Sequence, residues 1–167
     1  WGAAGGDGGG GDGGKGARVA GLFSLVKEAN LNIVIGQMGE SSDTFRAGGG
    51  GGSFMWIAGS SDPLVVAGGG GGGGLINNDS YGSGFDGNQD GQILNNAMTG
   101  YAHPDYSNYV AGAGGQAGNG GGSGAGGNSQ GHAGGGAGWI SNGLGNYSGK
   151  SKFSFHGGGI NGSADGG

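Results

Sequence analysis

Hydrophobic positions in this chain come in short bursts separated by bare backbone. Over residues 48–74 the sequence reads GGGGGSFMWIAGSSDPLVVAGGGGGGG, two apolar runs of strand length enclosed by glycine. Residues 53–58 and 64–67 are rich in β-branched and aromatic side chains, and Gly59-Ser60-Ser61-Asp62-Pro63 between them is a cluster of turn formers. That pattern predicts an antiparallel hairpin. Upstream, residues 31–36 (LNIVIG) place Leu31, Ile33 and Ile35 on one face, the period-two signature of a strand. The apolar run 17–26 (ARVAGLFSLV) leads into a turn at Lys27-Glu28-Ala29-Asn30. It is expected to pair with 31–36, while its Val19, Leu22 and Val26 spacing also fits a short helix.

Between the bursts, glycine recurs at every third position. Gly2, Gly5, Gly8, Gly11 and Gly14 keep that spacing, as do Gly112, Gly115, Gly118, Gly121, Gly124 and Gly127. Three residues per turn is the repeat of the polyproline-II helix, which makes no internal hydrogen bonds. Its N–H and C=O groups point sideways, and buried ones must find partners. A face without Cβ atoms lets a neighbouring glycine chain come close enough to supply them. The expected fold class is therefore mainly irregular and β: a bundle of polyglycine, polyproline-II-like helices packed with a small antiparallel β-sheet. Residues 1–167 are expected to form a single glycine-rich domain.

Composition bears on this in two ways. With 55 glycines and only 26 Leu, Ile, Val and Phe in 167 residues, the chain lies below the level at which a side-chain core is expected, and the same figures would class it as disordered. Disordered chains are held open by self-repulsion, whereas here charged residues are 10% and the net charge is −5. Two prolines are too few to hold a collagen triple helix. Without cysteine, no disulfide staples the fold, and redox chemistry does not fix the compartment.

The order of motifs is recognisable. WGAAGGDGGGGDGGKG, GLFSL, LNIVIGQMGE and the 48–74 stretch follow one another, and the tail reads GGGAGWISNGLGNYSGKSKFSFHGGGINGSADGG over 134–167. Together they resemble the extracellular glycine-rich domain of the anaplastic lymphoma kinase and leukocyte tyrosine kinase receptors, a domain similar also to glycine-rich microbial surface proteins and phage tail adhesin tips. The resemblance covers most of the chain and implies an extracellular, cell-surface setting. The receptors carry cysteines here and this chain has none. The family also continues into a further glycine block where this sequence stops, so the last glycine helices are expected from beyond residue 167 or from another chain.

Between the matched halves lies a variable region, 75–111, expected to project as a loop. Tyr81, Tyr101, His103, Tyr106 and Tyr109 lie there among Asn, Ser, Asp and Gly. That mixture is typical of binding loops, where Tyr supplies rigid contact area and Asn and Ser supply adaptable hydrogen bonds. These five residues are the candidate ligand contacts; as structural residues they would instead cover the ends of the glycine helices. In the same region Asp86, Asn88 and Asp90, with Gly91 and Ile93, follow the first half of a calcium loop, which uses oxygen ligands at alternate positions. The twelfth position is Ala97, so the bidentate carboxylate is missing and an ordinary Asp/Asn/Gly turn is the simpler reading. Calcium is the one cofactor the sequence raises.

Enzyme signatures are weak. About six G-x-G-x-x-G matches are expected from composition alone. Gly149-Lys150-Ser151 resembles a phosphate loop but has Leu144 where the earlier glycine belongs. Gly127-Asn128-Ser129-Gln130-Gly131 fits a nucleophile elbow and is flanked by glycine rather than by the strand and helix an elbow requires. His103, His132 and His156 are far apart and lack cysteine company, which gives no zinc spacing. Six scattered basic residues leave no nucleic-acid footprint, and no apolar run reaches membrane-spanning length. Asn78, Asn146 and Asn161 begin N-glycosylation sequons, used if the protein passes through a eukaryotic secretory pathway; no signal-peptide pattern stands at Trp1, so any such signal is expected to have been removed.

The sequence thus predicts a non-enzymatic extracellular structural or adhesive glycine-rich protein, such as a subunit of a surface fibre or appendage. Self-assembly would run through glycine-helix or strand edges, with itself or with another chain. The alternative is a receptor-type ectodomain module that binds a protein ligand, or a phage tail adhesin tip.

Overall fold

The computed structural model describes residues 1–8, 11–41, 47–73, 90–91, 93, 114–121 and 134–143. Three short strands, β1 (Leu31–Val34), β2 (Ser53–Ile57) and β3 (Pro63–Ala67), form an antiparallel sheet in the order β1-β2-β3. The β2–β3 hairpin is where its turn residues predict it. Ser60 N–H donates to the Ile57 carbonyl (2.9 Å), and Ser60 Oγ accepts from Asp62 N–H (3.0 Å), a hydroxyl closing its own turn. Pro63 sits at the first position of the edge strand β3, beside a register shift that leaves Trp56 opposite it. Proline is tolerated there because no ladder N–H is required of it.

Gly59 in this turn has φ +86° and open space around its Cα. Gly59→Ala therefore meets no neighbour and costs only the left-handed backbone penalty, about 1 kcal/mol. A fall of about 2–4 °C in the thermal midpoint is the expected reading.

The partner of β1 differs from the sequence expectation. Residues 31–34 pair with β2, in the register Leu31↔Ile57 to Val34↔Phe54, and not with 17–26, which form neither strand nor helix. The turn at 27–30 is present, with Ala29 N–H donating to the Val26 carbonyl (3.2 Å). The chain entering it is already committed elsewhere: Ala17 N–H donates to Gly68 (2.9 Å) and its carbonyl accepts from Gly2 (2.8 Å). Pairing with β2 also sets Val34 beside Phe54, on the face that packs inward.

That inward face supplies the aromatic part of the core. Phe54 is 1% exposed, and Trp139, reaching in from the last described glycine segment, meets Phe54 and Trp56 edge-on with ring centroids 5.5 Å away in each case. Among the described residues, the remaining buried apolar side chains are alanines: Ala17, Ala47, Ala67 and Ala137.

Beyond the sheet, extended glycine segments lie side by side and bond through their backbones with a three-residue cadence. Gly2 and Gly5 donate to Ala17 and Gly14 (2.8 and 2.9 Å), Ala3 and Gly6 to Gly51 and Gly48 (3.0 and 2.9 Å), and Gly70 and Gly73 to Ala3 and Gly6 (both 2.9 Å). Likewise Gly69 and Gly72 donate to Ala137 and Gly134 (3.2 and 2.9 Å), and Gly134 and Ala137 to Ala47 and Gly50 (3.1 and 3.2 Å). Donors three apart thus reach one neighbour while the residue between them reaches another. A flat strand, whose period is two, could not do this.

At Gly118 spacing and geometry part company. Gln116 to Asn119 form a turn closed by Asn119 N–H on the Gln116 carbonyl (2.9 Å), with positive φ at Ala117 (49°) and Gly118 (83°). Gly118 therefore serves a turn, not a continuous period-three segment, because only a residue without Cβ adopts that φ cheaply. Gly115 and Gly121 flank the turn, and Gly121 N–H donates to Gly136 (3.0 Å). Gly112, Gly124 and Gly127 lie outside the described residues.

Candidate functional site

Two surfaces of the described structure have properties that a function could use: the glycine layer and the outer side of the sheet. The glycine layer is built by absence of side chains. A Cβ placed on Gly2, Gly5 or Gly8 would collide with the carbonyls of Gly68, Gly71 or Gly73, and one on Gly50, Gly69, Gly70 or Gly72 would strike the backbone of another segment. Alanine occupies the interstices where a methyl fits, and Ala47 is fully buried. At the margins, side-chain oxygens take over as acceptors. Asp7 Oδ1 accepts from Gly13 N–H (2.9 Å), Ser53 Oγ from Gly36 (3.0 Å), and Ser141 Oγ from Gly120 (3.1 Å). The polar residues punctuating the glycine runs thus complete the hydrogen bonding that a missing neighbour would otherwise provide.

Asp90, the one described member of the candidate calcium triad, belongs to this group of acceptors. Its Oδ1 accepts from Lys15 N–H (2.6 Å), and Gly91 N–H returns a bond to the Lys15 carbonyl (2.6 Å), so the 90–91 pair is fastened to the first glycine region. Asp86 and Asn88 lie outside the described residues, as do Tyr81, Tyr101, His103, Tyr106, Tyr109 and the sequon residues Asn78, Asn146 and Asn161. Among the described residues no three His, Cys, Asp or Glu side chains gather as a metal site, and no described helix is long and apolar enough to cross a membrane. The ion pair Lys27–Glu28 (3.8 Å) has both side chains in solvent, and such pairs add little.

The sequence raises strand edges as assembly surfaces without saying which strand provides one; sheet order makes β1 an edge. Ala58 N–H donates to the Asn30 carbonyl (2.8 Å). In the register of the β1–β2 pair, the backbone groups of Asn30, Asn32 and Val34 therefore face β2. Those of Leu31 and Ile33 face away, off the edge, and no described residue bonds to them. Ile33 is 60% exposed and Ile35, next in the alternation, 70%. Leu22, Val26 and Met38, which flank β1 in the chain, are also largely in solvent. The signal was present in the run LNIVIG, whose alternation was legible as a strand but not as an edge.

Chemically, the described surface offers backbone donors and acceptors, small apolar methyls and one apolar edge; it gathers no titratable cluster. No family model matches the chain, and neither a curated protein nor a solved structure matches it.

Proposed function

We propose that this chain is a non-enzymatic structural or adhesive module of the cell exterior, a subunit of a fibre or appendage. In this reading its glycine segments are polyproline-II-like helices and bundle into a stiff slab carried by a small sheet. The observation that carries the reading is the three-residue cadence of inter-segment hydrogen bonds. Gly70 and Gly73 donate to the 2–8 segment while Gly69 and Gly72 donate to the 134–138 segment, which is how a threefold chain directs its N–H groups. A slab whose strength lies in backbone bonds has outer segments with backbone groups of the same kind, so another copy can extend it. The resemblance to the glycine-rich domains of receptors and surface proteins supports the extracellular setting.

Sedimentation velocity over a wide concentration range, with electron microscopy of the heaviest fraction, tests the reading. Growth into regular filaments is the expected outcome. A compact monomer whose size does not change with concentration would reject assembly and favour a binding module acting through Tyr81, Tyr101, His103, Tyr106 and Tyr109.

A further inference from the structure

We infer that the free edge of β1 is a self-association surface: β1 of one copy adds antiparallel to β1 of a second, joining two three-stranded sheets into one of six strands. This rests on the assembly reading above and names the contact. The edge presents the outward backbone groups of Leu31 and Ile33, and the ligand that satisfies alternating donors and acceptors is another extended chain. Natural edges are guarded by charge, proline or bulges. Residues 29–39 (ANLNIVIGQMG) contain neither a charge nor a proline, and the sheet's bulge and Pro63 lie on the opposite side, in the β2–β3 pair. The two edges thus differ in sequence: a proline begins β3, beside a register shift, whereas β1 carries neither proline nor charge.

The identity of the occupant follows from symmetry of sequence. Antiparallel pairing centred on Ile33 sets Ile33 opposite Ile33 of the second copy and Leu31 opposite Ile35. Both are apolar pairs on the sheet's outer face, and they withdraw from water the side chains that are 60% and 70% exposed in the single chain. Cross-strand pairs of this kind are the unit of sheet stabilisation. The contact is isologous and closes after two copies. It therefore makes a dimer, and any longer assembly must continue through the glycine layer.

Because Ile33 faces its own counterpart, opposite charges identify the register. Ile33→Lys and Ile33→Glu should each lose the β1 dimer when alone, with its dimerisation midpoint raised at least about tenfold in concentration, since like charges then face each other. Mixed in equal amounts, they should recover the dimer. Leu31→Glu mixed with Ile35→Lys repeats the test at the adjacent pair, should either Ile33 variant fold poorly. Sedimentation velocity on the full chain reads all four proteins and both mixtures. Variants that associate like the wild type would overturn β1 pairing while leaving assembly through glycine edges standing. Loss of association without recovery on mixing would overturn the Ile33-centred register. A wild-type chain monomeric at every concentration would overturn both this contact and the assembly reading.

Discussion

Gly70→Val should abolish cooperative folding, and Gly70→Ala should come close to it. Gly70 stands where three other segments meet. Its N–H donates to Ala3 (2.9 Å), its carbonyl accepts from Gly50 (2.7 Å), and a Cβ would run into the Gly14 carbonyl and lie 3.0 Å from the Lys15 carbonyl carbon. The obstacle is backbone, so no side chain can swing aside. Relief requires the 11–17 segment to move, which breaks the bonds of Gly14 to Gly71 (2.8 Å) and Ala17 to Gly68 (2.9 Å) on either side. Each buried amide left unpaired costs about 1–3 kcal/mol, and overpacking adds about 1–3 more. The sum is a large share of the roughly 5–15 kcal/mol that holds a domain folded. Denaturant unfolding of Gly70→Ala beside Gly59→Ala makes the comparison clean, because the chemical change is identical and only the surroundings differ. If the two variants unfold at similar denaturant concentrations, close backbone approach is not what holds the glycine layer together.

What could be read from the sequence was whatever is local. The β2–β3 hairpin was legible because its turn residues and its two apolar runs are adjacent. The partner of β1 was not: Leu31 pairs with Ile57, and nothing in LNIVIG distinguishes that neighbour from the nearer run at 17–26. Glycine spacing gave the cadence at Gly2 and Gly5, where a glycine every third residue leaves a bare stripe. It misread Gly118, because spacing cannot say whether a glycine is needed for close approach or for a positive φ. In the unbroken glycine runs at 48–52 and 68–74 the sequence carries no phase at all. The alanines that adjoin them, Ala47 and Ala67, are buried. The candidate tyrosine surface lies outside the described residues, whereas the open β1 edge is a property of sheet order, which no single strand encodes.

Trp139→Ala should destabilise the fold by about 3–5 kcal/mol. The residue is 8% exposed, and its ring takes part in two edge-on contacts, with Phe54 at an interplanar angle of 63° and with Trp56 at 71°, each worth about 0.5–1.5 kcal/mol beyond its burial. The residue also has a position that burial alone does not capture. The segment leading to it is tied to 47–52 and 67–73 through Gly134 and Ala137, as donors and as acceptors, while its ring rests on two residues of β2. It therefore couples the sheet to the glycine layer by side chain, in parallel with the chain continuity that runs from 47–52 into β2 and from β3 into 67–73. Trp139→Phe keeps an edge contact with Phe54 and should recover about half the loss, whereas Trp56→Phe should cost little and remove the near-ultraviolet circular dichroism of the paired indoles. The informative reading is the number of transitions. If Trp139 carries the coupling, Trp139→Ala separates a single unfolding event into two, with indole and far-ultraviolet signals no longer coincident. If the signals stay coincident and only the midpoint falls, chain continuity suffices to make sheet and glycine layer fold as one, and Trp139 contributes through its burial alone.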